Sequence, residues 1–394
     1  MKQIESFDEG FVLALAPEFV LVIGLFTLMI APNVGNATFR IPLTQIRVPW
    51  FFGGKRGLLS SDPRLPGLLT TVFFTLAFGL ATVSFVGGMN KTQIITEGGS
   101  TMLQIDEFSR MFELIFFGAL ALASAASVNR LPATSRSDRT AAGLYNNRRQ
   151  VDFYILLLTT GLGMSIVALA QDLFLLFIGL ELASFSTYVL VSFIKESKEG
   201  TEAGMKYFIV GSVASGVGLY GLSLLYLWSG SLQFADLSVA FAENGMEALP
   251  LMALGMLLVG FGFKVSAAPF HFAAPDAYAG ATAPVAGVLA TASKAMGVLG
   301  LLRLLLVVAS PEATDGSAVW LVALGVLSVV TMTWGNLAAL GSTNPKRMLA
   351  YSSVAHAGYM MAAITAIGAL NWEDGHVDMS TDAALVVVTA LIFH

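Results

Sequence analysis

The run Leu251-Met252-Ala253-Leu254-Gly255-Met256-Leu257-Leu258-Val259-Gly260-Phe261-Gly262-Phe263-Lys264-Val265-Ser266-Ala267-Ala268-Pro269-Phe270-His271 is apolar except for Lys264, Ser266 and the closing His271. At about 1.5 Å per helical residue, an apolar stretch over 249–268 can cross a hydrocarbon core about 30 Å thick. Lys264 would then sit about 21 Å along the segment, and its nearest acidic neighbours in sequence are Glu247 and Asp276. Pro269, Pro275 and Pro284 follow it. Proline lacks the backbone donor that a helix needs, so these residues predict a helix break. Interrupted helices at membrane depth occur where they line protein or a water-filled cavity, and they are common at transporter ion sites. A lysine beside such a break reads as a group that gives up and regains a proton.

The rest of the chain agrees with this reading. Of its 394 residues, 56% are hydrophobic and 12% charged, whereas a soluble domain is roughly a quarter charged. Mean hydropathy is +0.75, and a soluble reading would leave long apolar runs with no polar face for water. Hydrophobic segments are expected at roughly 11–31, 66–88, 107–128, 151–170, 172–194, 203–228, 249–268, 284–308, 318–340, 347–368 and 382–394. The expected fold is an all-α polytopic membrane protein of about 11 spans, with no alternation of the kind a β-barrel shows. Glycine and alanine recur through the segments, as close helix packing in lipid requires. Cysteine is absent, which excludes disulfides, thiolate zinc sites and cysteine-ligated iron–sulfur clusters in these residues. No basic stripe with interleaved aromatics supports nucleic-acid binding. The N-terminal residues Glu5, Asp8 and Glu9 are acidic where a secretory signal would be basic.

The loops predict an orientation. Arg40, Arg47, Lys55, Arg56 and Arg64 lie between the first two segments, and Arg130, Arg136, Arg139, Arg148 and Arg149 between the third and fourth. Lys195 and Lys198 follow the fifth, and Lys346 and Arg347 the ninth. All fall on one side if the spans are counted correctly, and the opposite loops carry little beyond Lys91 and Arg110. The positive-inside rule places the basic side in the cytoplasm or matrix and the N-terminus outside. The setting expected is a bacterial plasma membrane or a mitochondrial inner membrane.

Each ionisable residue within a segment costs about 2.5–3.5 kcal/mol on insertion scales, so it needs a reason to be there. Glu181 lies near the middle of segment five. It reads either as a structural acid or as a proton-exchanging carboxyl. Lys206 stands four residues after Glu202, the spacing of an ordinary helical ion pair, so a structural, snorkelling lysine competes with a functional one. Lys294 and His356 lie in segments eight and ten. Histidine is a natural proton relay, although a lone histidine in a packed bundle is often only a hydrogen-bonded core residue. Glu18, Arg110 and Glu113 lie nearer helix ends and read as anchors. One acid, three lysines and a histidine on separate helices indicate proton or cation translocation, without naming the energy source.

Several runs are more specific: Glu202-Ala203-Gly204-Met205-Lys206-Tyr207-Phe208-Ile209-Val210-Gly211-Ser212, Gly262–His271, Ala274-Pro275-Asp276-Ala277-Tyr278, Ala290–Lys294, Gly335–Leu340 and Lys346–Tyr359. They resemble the proton-translocating antiporter-like family and, within it, the N-type subunit of NADH:quinone oxidoreductase (complex I) over roughly 105–370. The resemblance implies inverted five-helix repeats, each with a broken helix and a central lysine. It divides the chain into three N-terminal spans with basic loops (1–150), a first repeat (151–308) and an incomplete second repeat (309–394). It also implies a gating charge pair of Glu181 and Lys206, a central Lys264, a relay Lys294 and a link His356.

The same resemblance implies redox chemistry elsewhere. No cofactor is expected in this chain; NADH, FMN, iron–sulfur clusters and quinone belong to partner subunits. The implied partners are membrane-arm subunits of the A, H, J, K, L and M types, together with lipid. Two departures stand out. About three further helices of the family pattern, with a second broken helix, are not in this sequence. The terminal segment 382–394 is also too short to span, so the expectation is either a fragment or a second chain that completes the bundle. The basic loop at 32–65 is longer than the family pattern. Alternatives are a subunit of an Mrp-type cation/proton antiporter, a subunit of a ferredoxin- or deazaflavin-dependent relative, or a scaffold without transport.

Overall fold

The computed structural model describes residues 2–4, 9–30, 38–40, 47–49, 64–87, 92–95, 100–128, 149–194, 196–308 and 319–374. Helices α1 (Glu9–Ala14) and α2 (Ala16–Ile30) are followed by α3 (Leu65–Val86), α4 (Glu107–Ser127) and α5 (Arg149–Leu169). Then come α6 (Leu173–Val191), α7 (Lys198–Ser229), α8 (Phe234–Asn244) and α9 (Ala248–Val265). The chain continues through α10 (Ala274–Gly280), α11 (Ala283–Ala290), α12 (Ala292–Leu302) and a π turn, Arg303–Val308. It ends, among the described residues, in α13 (Val319–Leu340) and α14 (Pro345–Asp374).

Eight helical spans in the described residues are long and apolar enough to cross a membrane, Ala16–Ile30 being a shorter apolar helix. The first nine expected segments coincide with these helices to within about five residues; the tenth, 347–368, lies within α14, which is not among the eight. Segment 382–394, most of the loop 32–65, Lys91, the arginines at 130–148 and Lys195 lie outside the described residues.

Local chemistry sets the helix ends. Asp106 and Ser109 form a reciprocal capping box at α4. The Asp172 carboxylate accepts from the N–H groups of Phe174 and Leu175 to start α6. Ser197 opens α7, and Gly230, at φ 75°, closes it. Such caps satisfy backbone groups that a helix leaves open at its ends.

Short strands supplement the helices. β1 (Lys2–Ile4) pairs in parallel with β4 (Thr92–Ile95), which pairs antiparallel with β5 (Thr101–Ile105) in the register Thr92↔Ile105. β2 (Thr38–Arg40) and β3 (Arg47–Pro49) form a separate antiparallel pair. An isolated bridge from Leu103 to Ala170 docks β5 on the turn between α5 and α6. The amphipathic α8, which the segment reading does not contain, packs Phe234, Leu237 and Phe241 into the core. A second bridge, Asp172↔Gln233, holds it beside the same turn.

The α11–α12 span is the most enclosed and the spans of α3 and α13 the least. In α3 and α13 the outward residues are apolar, for example Leu76, Val83, Val322 and Leu337, as lipid-facing surfaces are. Close approach rests on glycine at defined points. A Cβ at Gly163 of α5 would lie 2.6 Å from the Ala183 nitrogen of α6, and one at Gly335 of α13 would lie 2.5 Å from the Ala355 nitrogen of α14. These neighbours are backbone and cannot rotate away. Gly335→Ala should therefore cost about 1–3 kcal/mol, the usual range for overpacking. Thermal unfolding in detergent should show the loss, whereas Gly79→Ala, with nothing within 4 Å of its Cβ, should leave the transition in place.

Candidate functional site

The site begins where α9 stops. Ser266 takes a left-handed conformation (φ 63°), and the Ala267 N–H turns back to the Gly262 carbonyl at 2.7 Å. A side chain disfavours this backbone region, and such exceptions cluster at functional positions. Beyond Ser266 the chain runs irregularly to α10, and Ala268 donates its N–H to the Thr331 hydroxyl of α13 at 3.0 Å. Pro269 lies within this interruption, while Pro275 and Pro284 occupy the first turns of α10 and α11. At those positions the missing N–H has no helical partner to lose. A second interruption, not expected from the prolines, falls at Thr291 (φ −106°, ψ −84°) between α11 and α12.

Both interruptions stand beside a buried lysine. Lys264 is 4% exposed and donates from Nζ to the Ser184 hydroxyl on α6 at 2.7 Å. Ser184 donates its own O–H to the Leu180 carbonyl at 2.6 Å. Gly297 of α12 makes room for the lysine stem, because a Cβ there would lie 3.2 Å from Lys264 Cγ. One turn before Ser184, Glu181 accepts from the Ser215 hydroxyl of α7 at 2.6 Å and interacts electrostatically with Lys264. The Glu181 carboxyl of α6 and the Lys264 amino group of α9 thus meet along one face of α6, about a turn apart.

Lys294, 1% exposed, donates from Nζ to the Ser353 carbonyl of α14. The Ser353 hydroxyl meets the Tyr278 hydroxyl of α10 at 3.2 Å. Both His356 and His271 interact electrostatically with Lys294. Tyr207 of α7 packs edge-on against Tyr188 of α6, with ring centroids 4.8 Å apart, and contributes a phenol between the two lysine neighbourhoods. These hydroxyls were not singled out from sequence. The available signal was position, since Ser184 follows Glu181 by three residues and so shares its helix face.

The pairing expected for Lys206 is corrected. Its Nζ bonds Glu202 at 2.7 Å and Asp276 at 2.9 Å, and its side chain is 48% exposed. Asp276 also binds Arg347 at 2.6 Å, and Lys346 donates to the Ala281 carbonyl at 2.8 Å where α10 ends. Glu181 is thus matched with Ser215 and Lys264, and Lys206 with acids at the end of the bundle. The physical reason is reach: the i,i+4 carboxylate of Glu202 and the nearby Asp276 lie at that end, and Lys206 stands about two and a half helical turns before Ser215, the partner of Glu181. These charges line a cleft of about 660 Å³ that includes Glu202, Lys206, Asp276, Asn344, Arg347 and Tyr351.

Glu18, Arg110 and Glu113 are not peripheral anchors. Arg110 is 2% exposed and Glu113 fully buried. The guanidinium binds Glu113, the Ala14 carbonyl and, at 3.2 Å, Glu18. The arginine sits at the interface of α2, α4 and α5, where neighbouring helices cover ends that sequence reads as exposed. Among the described residues no group of three or more His, Cys, Asp or Glu side chains is placed to hold a metal ion.

A helical bundle with eight described spans of membrane length, two of them interrupted beside buried lysines, defines a polytopic membrane protein. The chain belongs to the NADH:quinone oxidoreductase/Mrp antiporter transmembrane family, whose model matches residues 170–393. It is 36% identical over 331 residues to NADH-quinone oxidoreductase subunit N 2 of Roseiflexus castenholzii, covering 83% of this chain and 63% of that protein. It is 35% identical over 332 residues to F(420)H(2) dehydrogenase subunit N of Methanosarcina mazei, covering 82% and 63%. A chain of respiratory complex I from Thermus thermophilus superimposes with a TM-score of 0.66 at 27% identity, covering 95% of this chain and 68% of that one. The chain thus spans just under two thirds of the length of these curated relatives.

The Lys264–Ser184 bond is testable. Ser184→Ala should destabilise the protein by about 1–3 kcal/mol, because a buried donor loses its acceptor. In a double-mutant cycle with Lys264→Met, thermal unfolding should give a coupling of roughly 0.5–3 kcal/mol. Strict additivity would mean that the two side chains do not interact.

Proposed function

We propose that this chain is a proton-translocating membrane-arm subunit of a quinone-reducing redox pump of the NADH:quinone oxidoreductase type. The observation that carries the reading is the row Glu181, Lys264, Lys294 and His356, in which the two lysines are buried beside helix interruptions: Lys264 bonds Ser184, Glu181 bonds Ser215, and Lys294 bonds the Ser353 carbonyl and interacts electrostatically with His356. Lysine carries a proton, serine and tyrosine hydroxyls both donate and accept, and imidazole exchanges protons near neutral pH. Such a row can pass charge by successive transfers once water bridges its wider gaps.

In this reading Glu181 and Lys264 form the input pair, because Lys264 of α9 bonds Ser184 one turn after Glu181 on α6 and interacts with Glu181 electrostatically. Lys294 takes the proton onward toward His356. Lys206, with Asp276 and Arg347, lines the mouth on the side of the basic loops, which is cytoplasmic under the positive-inside rule. The pairing of Asp276 with both cations ties α7, α10 and α14 together at that mouth, so the ion cluster can couple an electrical change there to the broken span.

The division into three N-terminal spans, a first repeat from 151 to 308 and part of a second from 309 onward is part of the same proposal. So are membrane-arm partners and a location of NADH, FMN, iron–sulfur clusters and quinone in those partners. The F(420)H(2) dehydrogenase relative keeps a deazaflavin-linked donor as the second reading, and the family name keeps an Mrp-type antiporter as the third. Co-purification separates them: flavin and iron–sulfur subunits accompany a redox pump, and only antiporter-like membrane subunits accompany the Mrp type.

The functional test is redox-driven proton uptake by the native complex in proteoliposomes, followed with a trapped pH dye. Lys264→Ala should reduce pumping by an order of magnitude or more, on the order of the 10²–10⁴-fold that a positioned proton-transfer group contributes. Lys206→Ala should give a smaller loss, because Arg347 still engages Asp276. Unimpaired pumping by the Lys264 variant in an assembled complex would rule out the role given to this residue.

A further inference from the structure

The cluster at α2, α4 and α5 carries a proton count. Ser165 of α5 places its Oγ 2.9 Å from Glu18 Oε1 and 2.7 Å from Glu113 Oε1. A serine hydroxyl has one hydrogen and can donate to one of these oxygens only. The other contact, equally within hydrogen-bond distance, has two bare oxygens facing each other unless the second carboxyl itself carries a hydrogen. Charge leads to the same count. Two ionised glutamates against the single guanidinium of Arg110 would leave one uncompensated negative charge in a buried setting, which is costly.

Among the described residues the charged groups nearest the cluster are engaged elsewhere. The span of α3 has no titratable residue, and Asp152 lies at the far end of α5. Asp106 is engaged as the cap of α4 and interacts electrostatically with Arg303. The Arg303 guanidinium itself is directed to the Ala168 and Ala170 carbonyls. Lys294, on the α12 helix that packs against α4, is directed to Ser353. Two further atoms of the cluster, Arg110 Nε and Glu18 Oε2, are buried without a hydrogen-bond partner among the described residues. The nearly fully buried arginine thus retains a donor, and Glu18 an acceptor, for a bound proton or water.

We propose that Glu18 and Glu113 hold one proton between them, bridged by Ser165 and opposed by Arg110, as a proton-binding site separate from the Glu181–His356 row. The site is electrically neutral when occupied: one guanidinium, one carboxylate and one carboxylic acid. The acid O–H donates to Ser165 Oγ while the Ser165 O–H donates to the carboxylate. A paired shift of these two hydrogens moves the proton from one glutamate to the other without creating a new charge. Release of the proton leaves the pair doubly ionised beside one arginine, so the site binds a proton most strongly when both carboxyls are present. It does not require that the main row translocate protons.

Infrared spectroscopy of the purified native complex, in H2O and D2O, tests this directly. The wild type should show a deuterium-sensitive carboxylic-acid carbonyl band from the cluster. Glu18→Gln and Glu113→Gln should each abolish the same band, because the one glutamate that remains is neutralised by Arg110. Ser165→Ala, which removes only the bridge, should shift the band rather than delete it, and it serves as the readout if a glutamine variant does not assemble. A band that survives either glutamine substitution would overturn the shared proton. So would spectra in which neither substitution removes any carboxylic-acid absorption, or a band unmoved by Ser165→Ala.

Discussion

An ammonium or guanidinium inside the hydrocarbon layer has no water to solvate it, and every such group here is met by an oxygen from another helix. Lys264 has the Ser184 hydroxyl, Lys294 the Ser353 carbonyl, Arg303 the Ala168 and Ala170 carbonyls, and Arg110 two glutamates and the Ala14 carbonyl. Buried charge is tolerated on these terms alone. The helix arrangement follows from them, because each cation fixes the approach of the element that supplies its partner. Small residues then allow that approach, as Gly297 does for Lys264 and Gly335 does for α14.

The interruptions have a consistent place in this scheme. A regular helix spends its carbonyl and N–H groups on itself, so it cannot offer a flexible neighbourhood to a titrating side chain. The α9–α10 segment is broken at the buried Ser266 beside Lys264, and the α11–α12 span at the exposed Thr291 beside Lys294. The ordered ends of α10 are instead held by the basic pair Lys346 and Arg347 at the start of α14. A broken segment clamped from outside by charges is mechanically linked to the polar cleft. That is the arrangement expected where a field or a partner acts on buried sites.

Two clusters with different electrostatics coexist. The Glu181–His356 row spreads its charges over four helices and leaves gaps that water must fill. The Glu18–Arg110–Glu113–Ser165 cluster is compact and nearly closed on itself. In the proposed reading the compact cluster holds a proton and the spread row transfers one. Their separation onto different helices keeps the two roles from interfering.

The positions of most spans, the membrane-embedded Lys264 and Lys294 and the break after Lys264 were legible in the sequence, because insertion into lipid constrains each segment separately, whereas the burial of Arg303, Arg110 and Glu113 was not. Twenty apolar residues, a lysine among them and a following proline carry their meaning without knowledge of neighbours. Partners were not legible. Whether Lys206 meets Glu181 or Asp276, and whether Arg110 is an anchor or the centre of a buried cluster, depends on which helices touch and how each is rotated. The break at Thr291 was equally hidden, since threonine has no intrinsic requirement to leave a helix. Segment by segment, hydropathy determined that this chain crosses a membrane and which charges it carries inside. Tertiary packing decided which of those charges meet, because a hydrogen bond between helices is a property of two surfaces and sequence spacing describes only one.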